Sequence, residues 1–262
     1  MSLQLRPEIP RILDRLNEAG RVVLALDFDG TLAPIVERPE LAAIPVETSL
    51  LLRDLASIPK LVLAILSGRS IADLKSRVGL DCIFVGNHGL EISGGGIHFV
   101  HDRARGLQQA VELACADLAA VHEGIPGVEI ENKGFTATLH YRRAPDDLAG
   151  WIEATTRTIL RPYRRWLEIR PARKAWEIRP RLNWNKGSAL SMIVDHVGRG
   201  SLVICAGDDE CDESMFRISP ECISIQVGGR LHTSGRYSVD GPAELAAFLQ
   251  HLLPAVKLRQ AG

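Results

Sequence analysis

Apolar residues in this chain come in unbroken runs near both ends. Val22 to Leu26, Leu61 to Leu66 and Leu202 to Ala206 contain no polar interruption. A strand without polar alternation fits a place buried on both faces, as in a parallel sheet covered by helices. Helical spacing predicts helices near 47–58, 70–78, from Lys186 onward, near 210–217 and over 242–253, and short apolar runs predict strands at 82–85 and 222–227. Strand and helix therefore alternate, which predicts an α/β fold with a parallel sheet and right-handed crossovers.

Between these flanks the rhythm changes. Residues 104–123 read as a helix, with Leu107, Val111, Ala114, Leu118 and Val121 near helical spacing. Two strand-like stretches follow, VEIEN and FTATLHYR, joined at Lys133-Gly134. A second helix over 146–160 opens at Pro145-Asp146-Asp147, and strands WLEIR and AWEIR are split by Pro171 to Lys174. Helix, hairpin, helix, hairpin is an α+β unit. It reads as a cap domain over 104–182, inserted into a discontinuous core of 1–103 and 183–262.

The ends of the apolar runs carry the chemistry. Asp27 and Asp29 follow the first run with Gly30 and Thr31, Ser67-Gly68-Arg69 follows the second, Gly207-Asp208-Asp209 follows the third, and Lys186 opens the helix before it. In an open parallel sheet such ends converge on one crevice. Adjacent carboxylates repel, and a hard dication with oxygen ligands, such as Mg²⁺, relieves that repulsion while holding a phosphate. Read alone, Asp-Gly-Thr is also an ordinary polar turn after a strand. Asp209 and Asp212 admit three readings: a ligand, a support for Lys186, or the acidic first turn of a helix.

DFDGT, SGR, a lysine before a helix and GDDECD occur in the order that resembles the haloacid dehalogenase superfamily of aspartate-nucleophile phosphatases. The fold implied is a Rossmann-like core with a parallel sheet plus an inserted α+β cap. The strings VGNHGLE, ENKGFTATLHYR, RKAWEIRP and NWNKG are similar to the trehalose-phosphatase family within it.

That resemblance implies a Mg²⁺-dependent hydrolase releasing trehalose and phosphate from trehalose 6-phosphate. Asp27 is then the nucleophile that forms an aspartyl-phosphate, and Asp29 the general acid and base. Asp27, Asp208 and the backbone carbonyl of Asp29 are the metal ligands, and Thr31, Ser67 and Lys186 hold the phosphate oxygens. Glu131, Lys133, His140, Arg142, Lys174 and Glu177 of the cap, with Asn87 and His88 of the core, are the implied contacts to sugar hydroxyls. Taken singly, each of these also reads as part of a solvated sheet face. Glu131 with Lys133, and His140 with Arg142, would share a face if both members lie in strands. Cys211 departs from the family's usual threonine and puts in question a hydrogen bond near the site.

Three functional readings stand together: this phosphatase, a related sugar-phosphate phosphatase or phosphomutase with a similar cap, and a catalytically silent sugar-phosphate sensor. The trehalose 6-phosphate would come from a trehalose-phosphate synthase in a separate chain.

Composition changes little. A length of 262 residues, 46% hydrophobic, allows one domain or two. A net charge of −1 gives no global pull toward nucleic acid or an acidic membrane. The cysteines at 82, 115, 205, 211 and 222 form no CxxC pair and read as reduced thiols in the cytoplasm. No apolar stretch has the length of a membrane span or the core of a signal peptide. A basic cluster runs from Arg157 through Arg161, Arg164, Arg165, Arg170, Arg173 and Arg179 to Arg181, with Trp151, Tyr163, Trp166, Trp176 and Trp184 among or beside it. Alone it suggests a nucleic-acid surface, but the overall charge and the phosphatase motifs favour solvated surface. His98 and His101 read as a glycine-rich turn without metal.

Overall fold

The computed structural model describes residues 2–172, 174–229 and 232–257. In chain order the elements are β1 (Leu3–Gln4), α1 (Ile9–Glu18), β2 (Val22–Asp27), α2 (Val46–Ala56), β3 (Leu61–Leu66), α3 (Ile71–Val78), β4 (Ile83–Gly86), β5 (Glu91–Gly94), β6 (Ile97–Val100) and α4 (Asp102–His122). There follow β7 (Glu129–Asn132), β8 (Ala137–His140), α5 (Ala149–Ile159), β9 (Leu167–Ala172), β10 (Ala175–Pro180), α6 (Lys186–Val197), β11 (Leu202–Gly207), α7 (Glu213–Phe216), β12 (Ile223–Val227), β13 (Tyr237–Val239) and α8 (Pro242–Lys257). The chain forms two compact units, residues 1–99 with 184–262, and residues 100–183. The boundary expected at 103/104 falls inside α4, whose first turn begins at Asp102.

In the first unit the sheet order is β1-β13-β12-β11-β2-β3-β4-β5-β6. Neighbours from β1 through to β4 run parallel, and β5 returns antiparallel to β4. The unbroken apolar runs have a direct cause. Along β2, Val22, Leu24 and Leu26 enter one buried cluster, with side chains of α1, α2, α3 and α8. Val23 and Ala25 enter the other, with Ala189, Leu190 and Ile193 of α6 and Met215 and Phe216 of α7. Successive side chains point to opposite faces and both faces are covered, so no position on the strand favours a polar residue.

The second unit is a four-stranded sheet in the order β7-β8-β10-β9, antiparallel throughout. Its apolar face presents Ala137, Leu139, Trp176, Ile178 and Leu167 to Val111, Ala114, Cys115 and Leu118 of α4 and Ile152 of α5. The other face is polar.

Several elements differ from the sequence expectations. The prolines and charges of the amino terminus hide α1, yet Pro10 sits in its first two positions, where no backbone donor is needed, and Ile12 and Leu16 one turn apart are fully buried. The region read as a glycine-rich turn holds β5 and β6, so His98 is a strand residue and only 95–96 turn. Pro171 and Ala172 belong to β9 rather than to the loop. The helix expected at 210–217 is a 3₁₀ turn at 210–212 followed by α7, and that at 146–160 begins as a 3₁₀ turn at 146–148. Val121 is exposed, and His122 is buried instead, bonding the Leu118 carbonyl and Thr155 Oγ1. Arg173 lies outside the described residues.

Leu24 is fully buried at the centre of the sheet. Leu24→Ala is expected to lower stability by about 2–5 kcal/mol, read as a fall in urea midpoint at unchanged denaturant slope. A midpoint equal to that of the parent would contradict this packing.

Candidate active site

β11, β2 and β3 are neighbours in parallel register, with Ala206 opposite Leu26 and Leu26 opposite Ile65. Their carboxyl ends therefore lie level: Asp27 closes β2, and Ser67 and Asp208 each follow one residue after the last residue of β3 and of β11. Gly30, at φ 82, makes room for this: a Cβ there would overlap the Asp208 carboxylate. Gly207 does the same for Asp212, whose side chain would meet a Cβ at that position.

Lys186 enters from the first turn of α6, behind the N-cap Asn185, whose side chain accepts from Ser188 N. Its ammonium donates to Asp27 Oδ1 at 2.5 Å and to Asp212 Oδ1 at 2.6 Å. All three side chains are buried. Asp212 Oδ2 accepts from the backbone N–H groups of Asp208 and Asp209 at 3.1 and 3.0 Å. Asp212 is thus both the support of Lys186 and the capping residue of the 3₁₀ turn, while Asp209 is the exposed N-cap of that turn.

Asp29 faces another cation. Arg69 Nε and Nη2 donate to its two carboxylate oxygens, each at 2.7 Å, and Arg69 Nη1 donates to Asp73 at 2.7 Å. Ser67 Oγ accepts from Arg69 N at 3.2 Å, which leaves its own proton to donate. Thr31 Oγ1 is buried without a hydrogen-bond partner. Asn87 and His88 both have left-handed backbones, at φ 48 and 59. Asn87 is fully buried and donates Nδ2 to Glu91, so it helps build the loop. The half-buried His88 ring lies against Gly68, where a Cβ would overlap it.

On the polar face of the second sheet, Glu131, Thr138, Glu177 and Arg170 form one row across β7, β8, β10 and β9. His140 Nε2 bonds Glu131 Oε2 at 3.0 Å, and Lys133 Nζ reaches Thr138 Oγ1 at 2.8 Å and Glu131 Oε2 at 3.6 Å. Glu177 accepts from Arg179. Two of the expected positions fall outside the strands: β7 ends before Lys133 and β8 before Arg142. Lys133 joins the group through its long stem, whereas Arg142 lies in the turn after β8. Lys174 does not join it. It occupies a left-handed position in the β9–β10 turn, exposed, with its ammonium on Asp146 at 2.8 Å.

Comparison with known proteins gives the family. A family model described as Trehalose-phosphatase matches residues 25–242. A trehalose-phosphate phosphatase of Mycobacterium bovis is 35% identical over 270 residues, covering 97% of this chain and 68% of the relative, and one of Mycobacterium marinum is 34% identical over 261 residues, covering 94% and 66%. The chain belongs to the trehalose-phosphatase family. The fold is likewise shared with the C-terminal domain of Candida albicans trehalose-6-phosphate phosphatase, at TM-score 0.80 and 24% identity over 97% of this chain and 99% of that one. As a member of the trehalose-phosphatase family, this protein is a hydrolase of phosphate monoesters with a haloacid dehalogenase-like core.

In this trehalose-phosphatase family member, Asp27, Asp208 and Asp212 each bring a carboxylate oxygen within 4.8 Å of the others, an array able to hold a metal ion. The hydrogen bonds rank the three. Both oxygens of Asp212 are engaged, whereas Asp27 Oδ2 and the Asp208 carboxylate accept no hydrogen bond among the described residues. Asp27 and Asp208 therefore offer the available oxygens, and Asp212 positions Lys186.

Charge points the same way. Burial pushes the Asp208 carboxyl up to about 7, with Asp212 adding to the rise. Burial also holds Asp27 well above the usual carboxylate range, against the pull of Lys186. Burial alone would lower Lys186, but Asp212 and Asp27 together keep it well above its ordinary value. Three acids around one ammonium leave negative charge uncompensated, and a dication fits that deficit.

Arg69 and Glu91 stand within the SGR and VGNHGLE strings without an assigned role, and Asp73 is not singled out by the motifs. The spacing of Arg69 to Asp73 and Asp73 to Arg77, four residues each, is the helical ion-pair signal that was available.

Asp212→Ala removes one of two anions from a buried ammonium and two acceptors from backbone donors. It is expected to lower stability by about 3–5 kcal/mol in urea unfolding, with Asp212→Asn losing less. Parental stability in the alanine variant would refute the positioning role.

Proposed function

We propose that this phosphatase hydrolyses trehalose 6-phosphate to trehalose and phosphate through a phosphorylated Asp27, with Mg²⁺ as its metal. The observation carrying the reading is the gathering of the Asp27, Asp208 and Asp212 carboxylates, within 4.8 Å of one another, at adjoining strand ends, with Lys186 clamped between Asp27 and Asp212. The family supplies the substrate class.

Lys186 fixes Asp27 through one lone pair of Oδ1, whose other lone pair would serve the metal, and this leaves Oδ2 to attack phosphorus as the bond to the sugar oxygen breaks. Thr31 Oγ1, unpartnered in its buried place, and the free proton of Ser67 suit the equatorial phosphate oxygens. Asp29 gives the leaving sugar oxygen its proton, then takes one from the water that splits the aspartyl-phosphate and restores Asp27. The Arg69 fork takes one lone pair on each Asp29 oxygen and fixes the carboxyl, leaving a second lone pair on each oxygen for the proton. Asp27, Asp208 and the backbone carbonyl of Asp29 would hold Mg²⁺, whose charge screens the phosphate dianion from the attacking carboxylate. Glu131, Lys133, His140 and Glu177 supply donors and acceptors suited to the vicinal hydroxyls of a disaccharide. No helix among the described residues is long and apolar enough to cross a membrane.

Purified protein is expected to release phosphate from trehalose 6-phosphate in Mg²⁺ faster than from other sugar phosphates, and Asp27→Asn to lower kcat by about 10³-fold or more. A better sugar phosphate in the same panel would displace the substrate assignment, and undiminished turnover in Asp27→Asn would displace the nucleophile. In a thermal melt, Mg²⁺ is expected to raise the Tm of the parent and to leave that of Asp208→Asn unmoved. An equal rise in both would remove Asp208 from the metal site.

A further inference from the structure

The basic cluster of the second unit is not used by the chemistry above. Part of it lines a cavity of about 290 Å³, whose walls are Arg103, Gly106 and Leu107 at the start of α4, Arg165 and Trp166 just before β9, and Arg181 just after β10. Three guanidinium groups thus share one small space with no carboxylate in its lining. Among the described residues none of the three is paired with an acid. Arg165 lies over the Trp166 ring at 4.5 Å from its centroid, and Arg181 Nε donates to the Arg164 carbonyl at 3.1 Å. The remaining donors of Arg181 and all those of Arg103 are uncommitted.

This arrangement is costly as plain surface and useful as a receptor. Guanidinium groups gathered without counter-charge repel one another, and an anion that bridges them removes the repulsion. A guanidinium fork matches phosphate oxygens two at a time, and stacking on an indole holds the Arg165 fork in place before any ligand arrives. Arg181 is held twice, through Nε and through its backbone N–H to the Trp166 carbonyl at 2.7 Å. Trp166 itself is 40% exposed, so it offers apolar surface beside the three forks. The volume lies at the small end of the range for small-molecule sites, which suits a compact ligand better than a nucleic-acid strand.

We propose that this cavity is a second anion site that binds a small diphosphate, with the phosphate oxygens on Arg103, Arg165 and Arg181 and the remainder of the ligand against Trp166. The shared chemistry is the diphosphate group, and its source is either inorganic pyrophosphate or a nucleoside diphosphate. The site is lined wholly by the second unit, and the assignment stands independently of the sugar phosphate hydrolysed by the protein.

The test follows the indole N–H signal of Trp166 by nuclear magnetic resonance, assigned with Trp166→Phe, in the full chain kept metal-free with EDTA. Pyrophosphate, ADP and a single-stranded oligonucleotide are titrated separately. The Trp166 signal is expected to shift saturably with pyrophosphate and ADP, and the double variant Arg103→Gln/Arg165→Gln to weaken both by at least about tenfold while keeping parental phosphatase turnover. Tighter binding of ADP than of pyrophosphate assigns the Trp166 face to an aromatic base, and equal binding assigns the site to the diphosphate alone. A Trp166 signal that moves with neither ligand, equal affinity in the double variant, or an oligonucleotide that binds more tightly than both would overturn the proposal.

Discussion

A buried ammonium shared by two carboxylates is the interaction on which the core of this protein turns. Lys186 is the nearest cation to Asp27 and Asp212, and it is bonded to both. Taking those charges out of water is unfavourable, so the geometry has to return the loss through short, charge-assisted hydrogen bonds. It does so for Asp212, whose second oxygen caps the turn that follows β11. It does so only in part for Asp27 and not for Asp208, which keep unbonded oxygens at the strand ends. The ion pair is complete enough to fold and incomplete enough to bind a further cation and an anion.

That balance depends on the parallel register. Three neighbouring strands end level, so a one-residue slip in β11 would carry Asp208 away from Asp27 and turn its neighbours to the opposite face. Register is secured by the two apolar clusters, since every residue of β2 before Asp27 is buried on one side or the other. The chemistry of the site and the packing of the core are thus two consequences of the same strand. The glycines at 30 and 207 complete the arrangement, because each stands where a side chain would displace a carboxylate.

The parts of this molecule that sequence makes legible are those where a single physical rule acts alone. Strands buried on both faces write themselves as unbroken apolar runs, so β2, β3 and β11 were readable to within about a residue, and the chemistry at their ends with them. The antiparallel second sheet was readable as well, because hairpins and helices there alternate over short distances. Less visible were elements whose signal competes with another. α1 begins at a proline, β5 and β6 flank a glycine run that reads as turn, and β1 has only two residues. Site residues divide the same way. Lys186 and Asp208 stand at element ends and announce themselves, whereas Arg69 acts by reaching from one strand end to a carboxylate 40 positions earlier. Lys174 and Asn87 both stand at left-handed backbone positions, which redirects their side chains; asparagine favours that region more than most residues, whereas lysine gives no such sign.

Arg69 gives the site a second level of organisation. Its guanidinium touches Asp29, Asp73 and the Pro39 carbonyl, so it ties the segment after β2 to the start of α3. A carboxylate gripped by both oxygens is fixed in place, with one lone pair on each oxygen still open. One that swings freely carries a proton but has no defined position. The fork gives Asp29 a defined position without using all its lone pairs, and its further contacts to Asp73 and the Pro39 carbonyl hold the guanidinium itself in place. Asp27 and Asp29, two residues apart in sequence, are thereby held by different cations. Asp27 stays bonded to the rigid ammonium of Lys186, and Asp29 answers to a guanidinium whose grip is shared among several acceptors. Two carboxylates of the same type on one turn are in this way given unlike surroundings, through the geometry of the cation that each one faces.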